Sequence, residues 1–210
     1  FPDLYSYADE EYGPVGGFDM MDYNVGDHGP ANKLLYGWLQ PYVVPTTGMY
    51  QVTLDSYSTD NDQFGNALLI PYNFNDLSDG NAFDEYLLIM FYTPKGLYNG
   101  HMNYDYVLNN AAIVIYRVDA RMKSSVTFWG DYFARDNDGT SNFFVEILEV
   151  DKNNSIPSTS NSGYIKMSDV LTSGSVDLST YTWHQGGSIN VSIEIAEAFN
   201  NNSTQAVINV

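Results

Sequence analysis

The sequence predicts a mainly β protein: an antiparallel β-sandwich preceded by a short, mostly irregular or helical tail. Three observations carry this expectation. Aromatic residues make up 15% of the 210 residues, led by 18 Tyr and 11 Phe, and these side chains favour strands over helices. Short apolar runs recur after residue 45, each bounded by Asn, Asp, Gly or Ser clusters, as strands bounded by turns are. No helical period of comparable strength runs among them. With 44% hydrophobic residues the chain can bury a core, which sets it apart from disordered sequences.

Residues 1–44 differ in character from the rest of the chain. Gly13-Pro14, Gly16-Gly17 and Gly29-Pro30 punctuate them. Pro30 suits the first position of a helix, Leu34, Leu35 and Trp38 are expected on one face of it, and Pro41 ends the run. A linker-like break at residues 44–48 divides the chain into 1–44 and 45–210. Strand candidates come after it at Tyr50-x-Val52-x-Leu54, 67–72, 86–92, 111–118, 126–129, 143–150, 189–195 and 206–210. Eight such segments in roughly 165 residues match the spacing of a sandwich. Residues 153–162, rich in Asn and Ser, read as a surface loop.

Charge narrows the function. Eight Lys+Arg face 26 Asp+Glu, a formal net charge of −18. Nucleic-acid affinity rests on neutralising phosphates with basic side chains, so nucleic acid is excluded as a partner. Anionic membrane surfaces are disfavoured for the same reason. No apolar run approaches the ~18 residues of a membrane-spanning helix. Cysteine is absent, which removes disulfides, thiolate metal sites and cysteine nucleophiles. The sequence opens Phe1-Pro2-Asp3 without an initiator Met or a signal peptide, as a processed chain or a portion of a longer one would. No Gly-x-Ser-x-Gly elbow, phosphate-binding glycine loop or dinucleotide fingerprint occurs.

Chemistry is suggested first by Gly17-Phe18-Asp19-Met20-Met21-Asp22-Tyr23-Asn24. Met21-x-Tyr23 in a turn rich in Asp, Asn and Gly reads like the Met-turn of metzincin zinc proteases, where a soft thioether forms an apolar floor beneath the metal. The same residues also suit a buried methionine in an ordinary loop. The long zinc motif of such enzymes, H-E-x-x-H-x-x-G-x-x-D, places two His one helical turn apart, a Glu as general base and a third ligand after a Gly. Phe1-Pro2-Asp3 fits only its last three positions. His28, His101 and His184 are too far apart in sequence to replace the pair and read as structural or surface histidines. Asp136-Asn137-Asp138-Gly139 and Asp60-Asn61-Asp62 offer hard oxygen donors at alternate positions; they suit calcium, or equally a solvated turn. The Tyr and Trp content fits either sandwich core or a sugar-stacking face.

Phe1-Pro2-Asp3-Leu4-Tyr5, Gly13-Pro14-Val15-Gly16-Gly17-Phe18-Asp19-Met20-Met21-Asp22-Tyr23-Asn24, Gly26-Asp27-His28 and Lys33-Leu34-Leu35-Tyr36-Gly37-Trp38 occur in one order. Together they resemble the immune inhibitor A family of secreted bacterial metallopeptidases. Glu85-Tyr86-Leu87-Leu88-Ile89, Ile113-Val114-Ile115-Tyr116-Arg117-Val118-Asp119 and Phe144-Val145-Glu146-Ile147-Leu148-Glu149 come next in the expected sequence, with Arg117 where that family usually has His. The resemblance implies that residues 1–44 are the end of a metzincin-like catalytic domain, with the Met-turn and exit helix, and that 45–210 form a β-sandwich. It implies zinc, with Asp3 as third ligand, Met21 as the Met-turn residue and Tyr23 as a group that either supports the metal ligands from behind or stabilises the oxyanion.

The His pair and the Glu base are not in this sequence, so by this resemblance the chain alone is inactive and its partners are the missing N-terminal catalytic segment and, in the parent enzyme, a protein or peptide substrate. Calcium at Asp136 and Asp138 would complete the cofactors. An acidic, cysteine-free composition suits a bacterial protein that is secreted or sits at the cell surface. Without the rest of its domain, segment 1–44 is expected to be poorly ordered or to dock on a neighbour. The alternative is a non-catalytic extracellular sandwich that binds a glycan or a surface partner, with calcium bound.

Overall fold

The computed structural model describes residues 2, 4, 13–23, 26–57, 64–75, 84–98, 108–123, 132–137, 142–153, 155–156 and 164–210. Asp3, Asp138, His101, the loop at 60–62 and the strand expected at 126–129 lie outside them.

Among the described residues two short helices, α1 (Met20–Tyr23) and α2 (Pro30–Leu35), precede eleven strands. These are β1 (Gln40–Val43), β2 (Gln51–Asp55), β3 (Phe64–Pro71), β4 (Glu85–Tyr92), β5 (Ala112–Asp119), β6 (Met122–Lys123), β7 (Tyr132–Phe133), β8 (Val145–Ile147), β9 (Ser175–Asp177), β10 (Ser192–Ile195) and β11 (Gln205–Asn209). The protein is mainly β, as expected, with a five-stranded sheet ordered β1-β3-β4-β5-β8 and a four-stranded sheet ordered β2-β11-β10-β9. β6 and β7 form a separate two-stranded ribbon.

β4 and β5 are buried at all eight positions each, which explains their near-continuous apolar sequence. Strand alternation sends Leu87, Ile89 and Phe91 with Ile113 and Ile115 to one face, where they meet Leu54, Val176, Ile193 and Ile208 of the four-stranded sheet. The two sheets thus share one apolar cluster in a sandwich-like arrangement. Leu88, Met90, Tyr92, Val114 and Tyr116 point to the opposite face and meet a second cluster that includes Leu4, Val15, Phe18, Ala31 and Leu39. The five-stranded sheet is therefore the middle layer.

This second cluster corrects the expectation for segment 1–44, because its described residues dock on the sheet of their own chain. Phe18 stacks on Tyr98 (5.2 Å between ring centroids) and meets Tyr92 edge-on at 5.1 Å. Ile147 N donates to Pro14 O at 3.0 Å, and Ile165 N to Gly16 O at 3.0 Å. β1 goes further and joins the sheet as an edge strand paired in parallel with β3, Tyr42 opposite Leu68 and Val43 opposite Leu69. That one parallel pair departs from the expected all-antiparallel order; the other pairs within the two sheets are antiparallel. Pro41 inside β1 is compatible with an edge position, where a missing N–H costs no interior ladder bond. Residues 44–48, expected as a linker, are the crossover from β1 in one sheet to β2 in the other.

α2 begins at Pro30 as expected and stops at Leu35. Gly37 adopts φ 70°, its N–H bonds to Leu34 O at 3.1 Å, and Trp38 N–H bonds to Lys33 O at 2.8 Å. This is the paired C-terminal closure that a left-handed glycine permits. The break displaces the expected apolar face: Leu34 packs on the core, whereas Leu35 and Trp38 are each 45% exposed.

Candidate functional site

The segment expected to be a Met-turn folds around two carboxylates, Asp19 buried and Asp22 half-buried. Asp19 accepts from Met21 N (2.8 Å) and Gly29 N (2.6 Å), and Asn32 Nδ2 lies 3.3 Å from its Oδ1. Asp22 Oδ2 accepts from Gly17 N at 2.6 Å. Burial raises both carboxyls, Asp22 to about 7, with Asp19 nearby adding to the rise and the Gly17 bond opposing it. The glycines make these approaches possible. A Cβ on Gly29 would lie 2.5 Å from Asp19 Oδ2, and one on Gly13 only 2.0 Å from Asp22 Oδ1. Met21 is half-buried and packs against the cluster beneath the five-stranded sheet, and Tyr23 ends α1. Next to this turn Lys33 pairs with Asp27 and lies 4.5 Å from the Tyr57 ring centre, while Tyr57 Oη donates to His28 O at 2.8 Å. His28 Nδ1 is 4.0 Å from Asp19 Oδ1. The Gly-rich sequence before Asp19 is thus explained by a tight, carboxylate-closed turn.

Among the described residues one set of three carboxylates brings its oxygens close enough to share a cation: Glu149, Asp151 and Asp169, with ligand atoms within 4.8 Å of one another. Glu149 and Asp169 are buried, and Asp151 is open to solvent. Glu149 comes just after β8, and its oxygens accept from Ile156 N (2.8 Å) and Ser155 Oγ (3.1 Å). Asp169 accepts from Lys166 N (2.7 Å) and Ser168 Oγ (2.9 Å); Val150 N in turn donates to Asp169 O at 2.9 Å, which joins the two loops. Burial raises the Asp169 carboxyl, and Glu149 and Asp151 add to the rise. An all-oxygen, all-carboxylate set suits a hard divalent cation rather than a thiophilic or imidazole-seeking metal. Asp136, one of the two expected calcium ligands, is exposed and belongs to no such group among the described residues; its backbone carbonyl accepts from Phe144 N. The neighbouring Asn137 is fully buried and fastens Leu4 O and both Val145 backbone groups.

A third grouping has no counterpart among the sequence expectations. At one end of the five-stranded sheet, register sets Glu85 opposite Asp119 and Arg117 opposite Glu146. Arg117 bonds to Glu146 and to Thr182 O. Arg121 grips Asp119 through two bonds of 2.7 and 2.5 Å, with Arg135 Nε 3.5 Å away. From the other sheet, the turn between β9 and β10 contributes His184, whose Nδ1 lies 2.8 Å from Asp119 Oδ2 and whose Nε2 lies 3.4 Å from Glu146 Oε1. Glu85 accepts from the backbone N–H of His184 (2.6 Å) and Gln185 (3.1 Å). Burial opposes ionisation of Asp119, but the bonds from Arg121 and His184 outweigh it and hold the carboxyl well below the usual range. Burial likewise opposes the charge on His184, and Asp119 and Glu146 outweigh it and raise the imidazole. The only local signal was charge at the ends of apolar runs, Glu85 before one and Asp119 after another; His184 joins them across 99 and 65 positions.

Comparison of the chain with protein-family models, with curated proteins and with solved structures gives no match. No helix among the described residues is long and apolar enough to cross a membrane.

Proposed function

We propose that this chain is the C-terminal portion of a secreted bacterial zinc metalloendopeptidase resembling immune inhibitor A, with residues 1–44 belonging to its catalytic domain. One observation carries the reading. Two of the segments that bear the resemblance fold into specific local closures: the Asp19- and Asp22-closed turn that seats Met21, and the glycine closure at Gly37-Trp38. In this reading the Met21 thioether would supply the apolar floor of the catalytic site, and Tyr23 would support the ligands or stabilise the oxyanion.

The described residues do not form a zinc site, since no three ligand atoms converge near Met21. No step through zinc is therefore assigned to them. In this reading the His pair and the Glu base would lie upstream of Phe1 and Asp3 would complete the ligand set, where zinc would supply the activated water for peptide hydrolysis. The same reading puts calcium at Glu149, Asp151 and Asp169 instead of at Asp136, because there three carboxylates already converge. The test is the DNA upstream of the Phe1 codon. An in-frame H-E-x-x-H-x-x-G is the expected result; an unrelated segment or a signal peptide there overturns the protease reading.

A further inference from the structure

We propose that the sandwich carries a binding site for a neutral glycan in the cavity between the start of β5 and the turn that precedes β11. The site stands apart from the charged cluster: β5 separates them by roughly 25 Å at ~3.3 Å per residue. It is independent of the protease reading, since none of its residues lies in segment 1–44.

The cavity measures about 620 Å³, a size that suits a mono- or disaccharide, and its walls include Asn110, Met167, Thr172, Phe199, Asn200 and Asn202. Three chain segments meet there, and the one at the start of β5 is tied to both of the others. Asn201 spends its carboxamide as a brace: Oδ1 accepts from Ala111 N at 2.7 Å and Nδ2 donates to Asn109 O at 3.1 Å. Ile113 and Leu171 exchange two backbone bonds (2.8 and 3.1 Å), which anchors the Thr172 side. Phe199 is half-buried, its ring 4.8 Å from that of Phe91. The walls are thus fixed before any ligand arrives, which limits the ordering cost of binding.

The chemistry of those walls selects the ligand. In a chain with 26 acidic residues and a net charge of −18, no residue lining this cavity is charged. An anion would be repelled by the surrounding field, and a cation would find no carboxylate to pair with. A purely apolar ligand would strand the amides without partners. What remains is a neutral molecule rich in hydroxyls. Among the described residues the Asn202 carboxamide makes no hydrogen bond, and that of Asn200 accepts one, from Asn202 N. Each carboxamide pairs a donor with an acceptor, the pattern that adjacent sugar hydroxyls complement. The Phe199 ring and the Met167 side chain offer the apolar surface on which a pyranose face stacks.

The experiment is an array of neutral, sialylated and sulfated glycans probed with the purified chain, then calorimetry on the best neutral oligosaccharide with wild type, Asn202→Ala and Phe199→Ala. The expected result is retention of neutral glycans alone, with each variant binding at least about tenfold more weakly. Phe199→Ala also removes a contact with Phe91, so the exposed Asn202→Ala, expected to keep the wild-type melting temperature, is the decisive variant. Retention of no glycan, retention of only the acidic ones, or unchanged affinity in Asn202→Ala overturns the proposal.

Discussion

His184 bridges two strands of the five-stranded sheet, with Nδ1 2.8 Å from Asp119 Oδ2 and Nε2 3.4 Å from Glu146 Oε1. One ring from the four-stranded sheet's turn thereby joins carboxylates that sit on β5 and β8. Arg117, Arg121, Arg135 and Glu85 surround it, so the charge on this ring is set by groups from every element it touches.

Stability should peak in mild acid. His184 is raised above its ordinary 6.5, so its contribution is complete below that value and is lost as pH climbs through the folded-state value. Asp22, raised from 3.8 to about 7, works in the same sense: the folded state holds its proton over that window, and stability falls as pH rises through it. Asp119 is depressed, so its contribution is present above 3.8 and declines as pH drops below. Melting temperature against pH should therefore be highest around pH 4–5 and fall on both sides. His184→Gln should flatten the fall above neutrality, and an optimum at pH 8 would contradict the assignment.

Arg117 and Glu146 are both about nine-tenths buried, and removing one leaves the other buried with only its secondary partner, His184 for Glu146 and Thr182 O for Arg117. Arg117→Ala should cost about 3–5 kcal/mol in urea unfolding. The double variant Arg117→Leu, Glu146→Leu should recover much of that loss, since a packed apolar pair carries no desolvation cost. If the double variant is as unstable as the single, the charge itself is not what matters at this site.

Gly16 and Gly37 separate backbone strain from steric clash. Both have positive φ, 62° and 70°, but a Cβ on Gly37 meets nothing within 4 Å, whereas on Gly16 it lies 2.7 Å from Ile165 N. Gly37→Ala should cost about 1–2 kcal/mol, the conformational term alone. Gly16→Ala should cost clearly more and also loosen the Gly16–Ile165 bond, visible as faster amide exchange at Ile165.

Calcium should raise the melting temperature in proportion to the logarithm of its concentration once above its dissociation constant, through Glu149, Asp151 and Asp169. Asp151 is the solvent-open member, so Asp151→Asn should weaken binding without unfolding the apo protein. Equal calcium response in wild type and Asp151→Asn would remove the site from consideration.

The two central strands were legible because both their faces are buried, which writes an unbroken apolar run from 86 to 92 and another from 111 to 118 interrupted only by Arg117. β11 was legible for a related reason, its apolar residues meeting the shared core. β1 was not, because Pro41 reads as a stop and only the partner strand, two dozen residues on, reveals it as an edge. Short β9 was missed because Ser175-Val176-Asp177 offers a single buried side chain. The Met-turn segment was legible as a turn, but its closure by Asp19 on Gly29 spans ten residues and depends on the fold. The acidic triad was half visible: Glu149-x-Asp151 shows the same alternate-position donors that mark Asp136-x-Asp138, whereas Asp169 arrives through a loop connection with no local signature.

Because β1 pairs with β3 and segment 13–39 is covered by β4 and β5, this region cannot reach its final packing in the order in which it is made. The β4 and β5 residues that pack on Val15, Phe18 and Leu39 leave the ribosome roughly 2–21 s after them at typical synthesis rates. During that interval these side chains lack their β4 and β5 partners. The final packing of these earlier-made residues therefore waits on strands made after them, with β4 and β5 as the platform they rest on.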